Sequence, residues 1–170
     1  MNCWAIVVPA SATPADADSW KQLSASGSVP SGHSAPCLVG IPAEGKMYMF
    51  GGRNNNDNSW EKISPSGSTP TKRQGHAAVW VPGEMKMYVA AGQDGAAMLT
   101  NLESYDSRIN TWKQLAPSGT SPSGRRNPLA VWSTDQSRMY MFDGHETWSG
   151  SAYVNDIRFY DSHANTWQEL

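Results

Sequence analysis

The sequence predicts an all-β chain built from repeated antiparallel units. Three observations carry that prediction: an internal repeat in strict register, short apolar runs stopped by glycine or proline, and an abundance of turn formers. Of 170 residues, 15 are Gly, 11 are Pro and 21 are Ser, while only 16% are charged. That balance suits many short segments joined by tight loops. No segment holds a sustained apolar stripe at 3.6-residue spacing, and prolines interrupt each attempt at one.

The repeat fixes the unit. Trp20-Lys21-Gln22-Leu23, Trp60-Glu61-Lys62-Ile63 and Trp112-Lys113-Gln114-Leu115 each lead into a Ser-Gly-x-x-Pro turn, and Trp167-Gln168-Glu169-Leu170 is a fourth copy. The turns are Ser26-Gly27 with Pro30, Ser66-Gly67 with Pro70, and Ser118-Gly119 with Pro122. Seventeen positions beyond each proline stand Met47-Tyr48, Met87-Tyr88 and Met139-Tyr140. These pairs run into Phe50-Gly51-Gly52, Ala90-Ala91-Gly92 and Phe142-Asp143-Gly144.

Taken in chain order, residues 1–19 read as a strand from Cys3 to Val8 followed by a polar linker from Ala12 to Asp18. Met1 to Val8 has no Lys or Arg ahead of its short apolar stretch, so it reads as a strand and not as a targeting leader. Residues 20–63 form a first unit, 64–115 a second and 116–170 a third. In each, a run such as Lys46 to Phe50 or Lys86 to Ala90 is short, apolar and ended by glycine, which fits a buried strand. His76 to Val81 and Pro128 to Trp132 are similar runs. Pro82-Gly83-Glu84 and Thr134-Asp135-Gln136 are the expected hairpin turns between strands. The second and third units then add Tyr105-Asp106-Ser107 and Tyr160-Asp161-Ser162 ahead of Asn-Thr-Trp. From Gly52 to Trp60 the first unit advances only 8 positions, against 20 from Gly92 to Trp112 and 23 from Gly144 to Trp167. The segment Arg53 to Asn58 fills that gap with turn formers, so the first unit is expected to hold three strands or fewer.

Over residues 20–170 these motifs resemble the kelch repeat, in which four antiparallel strands make one blade of a β-propeller. Arg73-Gln74-Gly75-His76, Met87-Tyr88, Ala91-Gly92, Leu102, Tyr105-Asp106, Asn110-Thr111-Trp112 and Leu115 follow the kelch order, and Gly51-Gly52 supplies the double glycine. The third unit departs by placing Asn127-Pro128 at the Gly-His position, and the first has His33 at the arginine position and Ala35-Pro36 at Gly-His. The resemblance implies about three blades in an incomplete or open ring, since closed propellers take four to eight.

Most repeated residues read as structural. Trp60, Trp112 and Trp167 are expected to fill the space between neighbouring sheets, with Tyr105 and Tyr160 beside them. Gly51, Gly52, Gly92 and Gly144 are expected to allow close backbone approach or positive φ. Asp106 and Asp161 are expected to bond backbone in the turn before the last strand of a blade. Binding is expected in the loops, which carry His33, Arg53, Asn55, Arg73, Arg125, Arg126 and Trp148. By resemblance, Arg73 and Arg125 either pair with carboxylates of a protein partner or bond backbone carbonyls around the channel. Trp148, unrepeated and in the longest loop, is a candidate anchor for a partner.

Other classes find little support. A net charge of −2 offers no electrostatic footing for nucleic acid, and no apolar run approaches the roughly 20 residues that span a bilayer. The histidines His33, His76, His145 and His163 show no metal-ligand spacing, and no Gly-x-Ser-x-Gly elbow occurs. Cys3 and Cys37 could form one disulfide, but two cysteines are ordinary for free thiols in a reducing compartment, which favours a cytoplasmic or organelle-interior setting. Some propellers of kelch type are enzymes, either copper-radical oxidases or iron-dependent specifier proteins. The Glu-x-x-x-Asp-x-x-x-His run of the latter is absent, and the Cys and Tyr present carry no specific sign of the former. The expected function is therefore a non-catalytic protein-interaction module without a cofactor, possible as an accessory subunit of a larger complex. The alternative is a propeller enzyme or carbohydrate-binding domain whose site forms on ring closure. Three blades leave apolar edges, so the chain is expected to be part of a longer kelch protein, to pair with a second copy in a six-bladed ring, or to dock on a large assembly.

Overall fold

The first unit holds a four-stranded sheet whose third strand comes from far upstream in the chain. In this computed structural model, which describes residues 3–7, 33–34, 37–41, 46–50, 53–54, 61–148 and 152–170, the first elements are β1 (Cys3–Val7), β2 (His33–Ser34), β3 (Cys37–Ile41), β4 (Lys46–Phe50), β5 (Arg53–Asn54) and β6 (Glu61–Ile63). The sheet order is β3-β4-β1-β6. β1 runs antiparallel to β4 and to β6, with Cys3 opposite Phe50 on one side and Ile63 on the other. Residues 20–63 supply three of these strands, β3, β4 and β6, and the expectation that the blade as a whole holds three strands or fewer is corrected by β1. The segment after Gly52 is too short to add a strand to this ladder, and β1 occupies the place instead, inside the sheet and not along its edge.

The second unit shows what that place is. It comprises β7 (Ser66–Gly67), β8 (Ala77–Val81), β9 (Lys86–Ala90), β10 (Leu102–Asp106) and β11 (Thr111–Leu115), ordered β7-β11-β10-β9-β8. The third repeats it with β12 (Ser118–Gly119), β13 (Leu129–Ser133), β14 (Arg138–Phe142), β15 (Ile157–Asp161) and β16 (Thr166–Glu169), ordered β12-β16-β15-β14-β13. In the second sheet Leu102 lies opposite Ala90 and Leu115, the same register that Cys3 takes against Phe50 and Ile63. β1 is therefore the positional equivalent of β10.

Local chemistry ends each strand where the sequence reading expects. A 3-10 turn over Pro82–Glu84 joins β8 to β9, closed by Met85 in the left-handed region. Asp106 Oδ1 accepts from the Arg108 backbone N–H at 3.0 Å, and Asp161 Oδ1 accepts from the N–H groups of His163 and Ala164 at 3.1 and 3.0 Å. At the outer strand, the Tyr105 hydroxyl donates to Asn110 Oδ1 at 2.9 Å while Asn110 Nδ2 donates to Ser64 O. Tyr160, Asn165 and Ala116 O repeat this chain of bonds, tying each outer strand to the chain that enters its blade.

The apolar core lies between sheets. Val39, Ile41, Tyr48 and Phe50 of the first blade pack on Trp80, Met87, Val89, Tyr105 and Trp112 of the second. Val79, Val81, Tyr88, Ala90 and Leu102 on the other face of the second blade pack on Met139, Met141, Tyr160 and Trp167 of the third. A strand sandwiched in this way buries both faces, which is why Lys86 to Ala90 reads as a continuous apolar run instead of an alternating one. Trp112 and Trp167 are buried in these two clusters; Trp60, Gly51 and Gly52 lie outside the described residues. The inner strands β3, β8 and β13 stand side by side, and the described strands do not close a ring.

Candidate protein-interaction face

At one end of the blades, the loop entering the inner strand pairs with the loop leaving the second strand. His33 and Ser34 pair with Asn54 and Arg53; Gln74 bridges to Gln93, which bridges to Met98; Arg126 bridges to His145, which bridges to Tyr153. The three arrangements occupy corresponding positions in successive repeats, so the loops picked out from sequence share one end of the arc. The side chains of His33 and Arg53, and the whole of Asn55, lie outside the described residues.

Arg73 and Arg125 turn inward. Arg73 donates through Nη2 to Glu103 Oε1 at 2.8 Å, through Nη1 to Ala91 O at 3.1 Å and Asn101 Oδ1 at 3.2 Å, and through Nε and Nη2 to Thr71. Arg125 donates through Nη1 and Nη2 to both carboxylate oxygens of Asp156, through Nη1 to Asp143 O, and through Nε and Nη2 to Ser123. A guanidinium has five N–H donors, and in both residues every one is engaged within the same blade. With both side chains at 0% exposure, neither presents a donor to a partner, and the expectation of partner-facing guanidinium groups at these two positions is corrected. Of the two roles open in the sequence, bonding to the blade's own oxygens is the one observed.

The electrostatics follow from burial. Desolvation lifts the Glu103 carboxyl above its ordinary range and pulls Arg73 below its own, while their mutual contact opposes both shifts. Asp156 sits nearer solvent, and hydrogen bonds from Arg125, joined by Arg158, lower it to about 2. His76, behind the Arg73 cluster, is buried edge-on against Phe50 with ring centroids 5.2 Å apart. Burial and then the Arg73 charge lower it to about 3. Gly92, at φ +92°, allows the two chain segments to approach closely here: a Cβ there would meet His76 Cβ at 2.9 Å and Gln74 O at 3.1 Å.

Arg126 differs from its neighbour. It holds the third blade's longest loop by donating from Nε to Thr147 O at 3.3 Å and from Nη2 to Trp148 O at 3.0 Å. The result is an outward group: Trp148 and Tyr153 are exposed, and His145 packs against Tyr153 at 4.4 Å between ring centroids. Sequence reasoning named Trp148 and Arg126 but not Tyr153 as an individual residue. It also missed Glu103 and Asp156, although a carboxylate 30 or 31 positions beyond each buried arginine was a legible signal. Among the described residues, no group of three His, Cys, Asp or Glu side chains is placed to hold a metal ion, and no helix is long and apolar enough to cross a membrane.

A second surface lies on the outer face of the third blade. Val79 is 6% exposed under the third blade, and its counterpart Val131 is 62% exposed; Ala77 at 4% corresponds to Leu129 at 67%. Phe142, Ile157 and Leu170 extend this apolar face.

Successive antiparallel blades with inner strands abreast and tryptophans between the sheets define a repeat protein of the β-propeller class. The chain belongs to the kelch-repeat family: the family profile for the KLHDC2/KLHL20/DRC7 Kelch-repeats domain matches residues 12–170. It is also similar to Kelch-like protein 36 of Mus musculus, 35% identical over 68 residues that cover 39% of this chain and 10% of that relative. The match thus spans about a tenth of the relative's length. Kelch-repeat proteins bind protein partners.

Proposed function

We propose that this chain is a non-catalytic protein-interaction module, an accessory part of a larger assembly, which engages partners through the loop end of the third blade and the outer face of that blade. The observation that carries the proposal is the contrast between equivalent faces. On the second blade the apolar face is covered by Met139, Met141, Tyr160 and Trp167, whereas on the third blade Leu129, Val131 and Phe142 are open. A face of that composition is stable in water only when covered, and the fitting cover is another apolar protein surface. A further blade of a longer kelch protein, a second copy completing a six-bladed ring and a docking site on a multi-subunit complex are three forms of this one reading.

The test is light scattering together with binding of an apolar dye, on the wild-type chain and on Val131→Lys. The proposal expects the wild-type chain to self-associate or to bind dye, and the substitution to reduce that response without unfolding the blades. A wild-type chain that is strictly monomeric and binds no dye has no open apolar face, which overturns the proposal. Trp148→Ala combined with Tyr153→Ala is then expected to weaken an identified partner at least tenfold while leaving stability unchanged, as both side chains are exposed.

A further inference from the structure

We propose that the first blade is a strand-acceptor site, and that β1 of a second copy of this chain can take the slot between β4 and β6. Three features of the fold point there. β1 pairs along its whole length with β4, from Cys3 opposite Phe50 to Val7 opposite Lys46, and along Cys3, Trp4 and Ala5 with β6. The slot is thus a two-sided ladder, the most complete docking that a single extended segment can find. Next, β1 has no hairpin to either neighbour. In the second blade the equivalent strand β10 is joined to β11 by the four residues 107–110, so it cannot leave without its sheet; residues 8–32 lie between β1 and β2, and the next ladder strand is β3. Finally, the segment between β4 and β6 is too short to refill the slot, so a vacated blade exposes two unpaired edges that invite another strand.

A second copy is the occupant whose chemistry fits without change. Cys-Trp-Ala-Ile-Val carries no charge, and an identical segment restores the same register against Tyr48 and Glu61. Exchange of an identical element costs little beyond the effective concentration that favours the chain's own strand, so exchanged dimers accumulate with protein concentration. This goes beyond the open face of the third blade, which it does not involve.

The experiment uses the full chain with Ala5→Pro, which puts proline into the middle of a central strand and weakens docking of the chain's own β1. A fluorescent synthetic peptide of residues 1–10 is titrated into it and into the wild-type chain. Saturable binding to Ala5→Pro, at least tenfold tighter than to wild type, supports an acceptor slot. Absence of binding by an Ala5→Pro chain that retains the near-ultraviolet signal of Trp112 and Trp167 overturns it. Should Ala5→Pro unfold altogether, amide hydrogen exchange of the wild-type chain decides: Trp4, Ala5 and Ile6 exchanging together, ahead of the β10 and β15 amides, supports a removable strand, and exchange no faster than those strands overturns it. The second copy is tested by mass against concentration in Val131→Lys, which leaves the slot intact. A dimer that grows with concentration and is competed by the peptide is expected. A variant that stays monomeric throughout overturns strand exchange between copies, independently of the face on the third blade.

Discussion

Arg125 grips both carboxylate oxygens of Asp156, and Asp156 stands where the preceding blade has Asn101, the residue beside Arg73. The carboxylate that serves Arg73 is Glu103, and the residue at its position in the third blade is Arg158, which itself donates to Asp156 Oδ2 at 2.8 Å. One buried arginine is thus held in successive blades by a carboxylate that has moved two positions along the chain, with the vacated position changing sign. The arrangement keeps each arginine neutralised, since an unpaired buried charge costs several kcal/mol.

Transplanting the third blade's arrangement into the second tests that account. Glu103→Arg alone sets a second cation against Arg73 and removes its carboxylate, and is expected to destabilise by about 3–5 kcal/mol. Adding Asn101→Asp is expected to recover about 1–3 kcal/mol of that loss. Denaturant midpoints of the two single variants and the double variant supply the comparison; no recovery in the double would mean that the two locks are not equivalent.

Glycine is required where the entering chain crosses the outer strand. Gly67 and Gly119 have φ of +83° and +86°, and a Cβ at either would lie 2.1 or 2.2 Å from the carbonyl oxygen of Trp112 or Trp167. Gly67→Ala and Gly119→Ala are each expected to cost at least about 1–3 kcal/mol. Gly40→Ala, where a Cβ meets nothing within 4 Å, is the control and is expected to be neutral or slightly stabilising in the same thermal melts.

His76 sets an acid limit on the second blade. Its imidazole falls to about 3 in the folded chain against an ordinary value of 6.5, so below pH 6.5 the unfolded chain binds a proton that the folded chain does not. Stability is therefore lost as pH falls from 6.5 towards 3, by about 2 kcal/mol between pH 7 and pH 5 from this group. His76→Leu is expected to flatten that part of the pH profile, measured by urea unfolding at several pH values, and an unchanged slope would assign the acid sensitivity elsewhere.

The two cysteines are expected to stay reduced. Cys3 and Cys37 both lie opposite Phe50, on the strands flanking β4, so their backbones are two strand spacings apart, roughly 10 Å. A disulfide needs Cα atoms closer than about 7 Å. Burial also raises the Cys37 thiol to about 11, and its Sγ donates to His76 O at 2.8 Å. Mild oxidation of the folded chain is expected to leave two titratable thiols after denaturation; an intrachain disulfide formed before unfolding would contradict the register of β1.

The repeat register by itself determined the all-β class, the four-strand unit, the interblade tryptophans and the Asp turns, because these depend on residues that recur at fixed spacing and meet neighbours in the same or the adjacent unit. In the fold Trp112 is buried between sheets, Asp106 accepts from the Arg108 backbone N–H and Gly92 takes a φ of +92°, each beside residues of its own or the adjacent unit. Where a partner is distant in sequence or chosen by burial, only the tertiary structure decided. It put β1 inside the first blade, paired on both sides with strands distant from it in the sequence. It also sent Arg73 and Arg125 inward, because Glu103 and Asp156, 30 and 31 positions away, face them across the blade, and only the folded sheet shows which of the carboxylates they meet. The exposure of Val131 against the burial of Val79, two identical residues at equivalent positions, was decided by whether another sheet stands beside them.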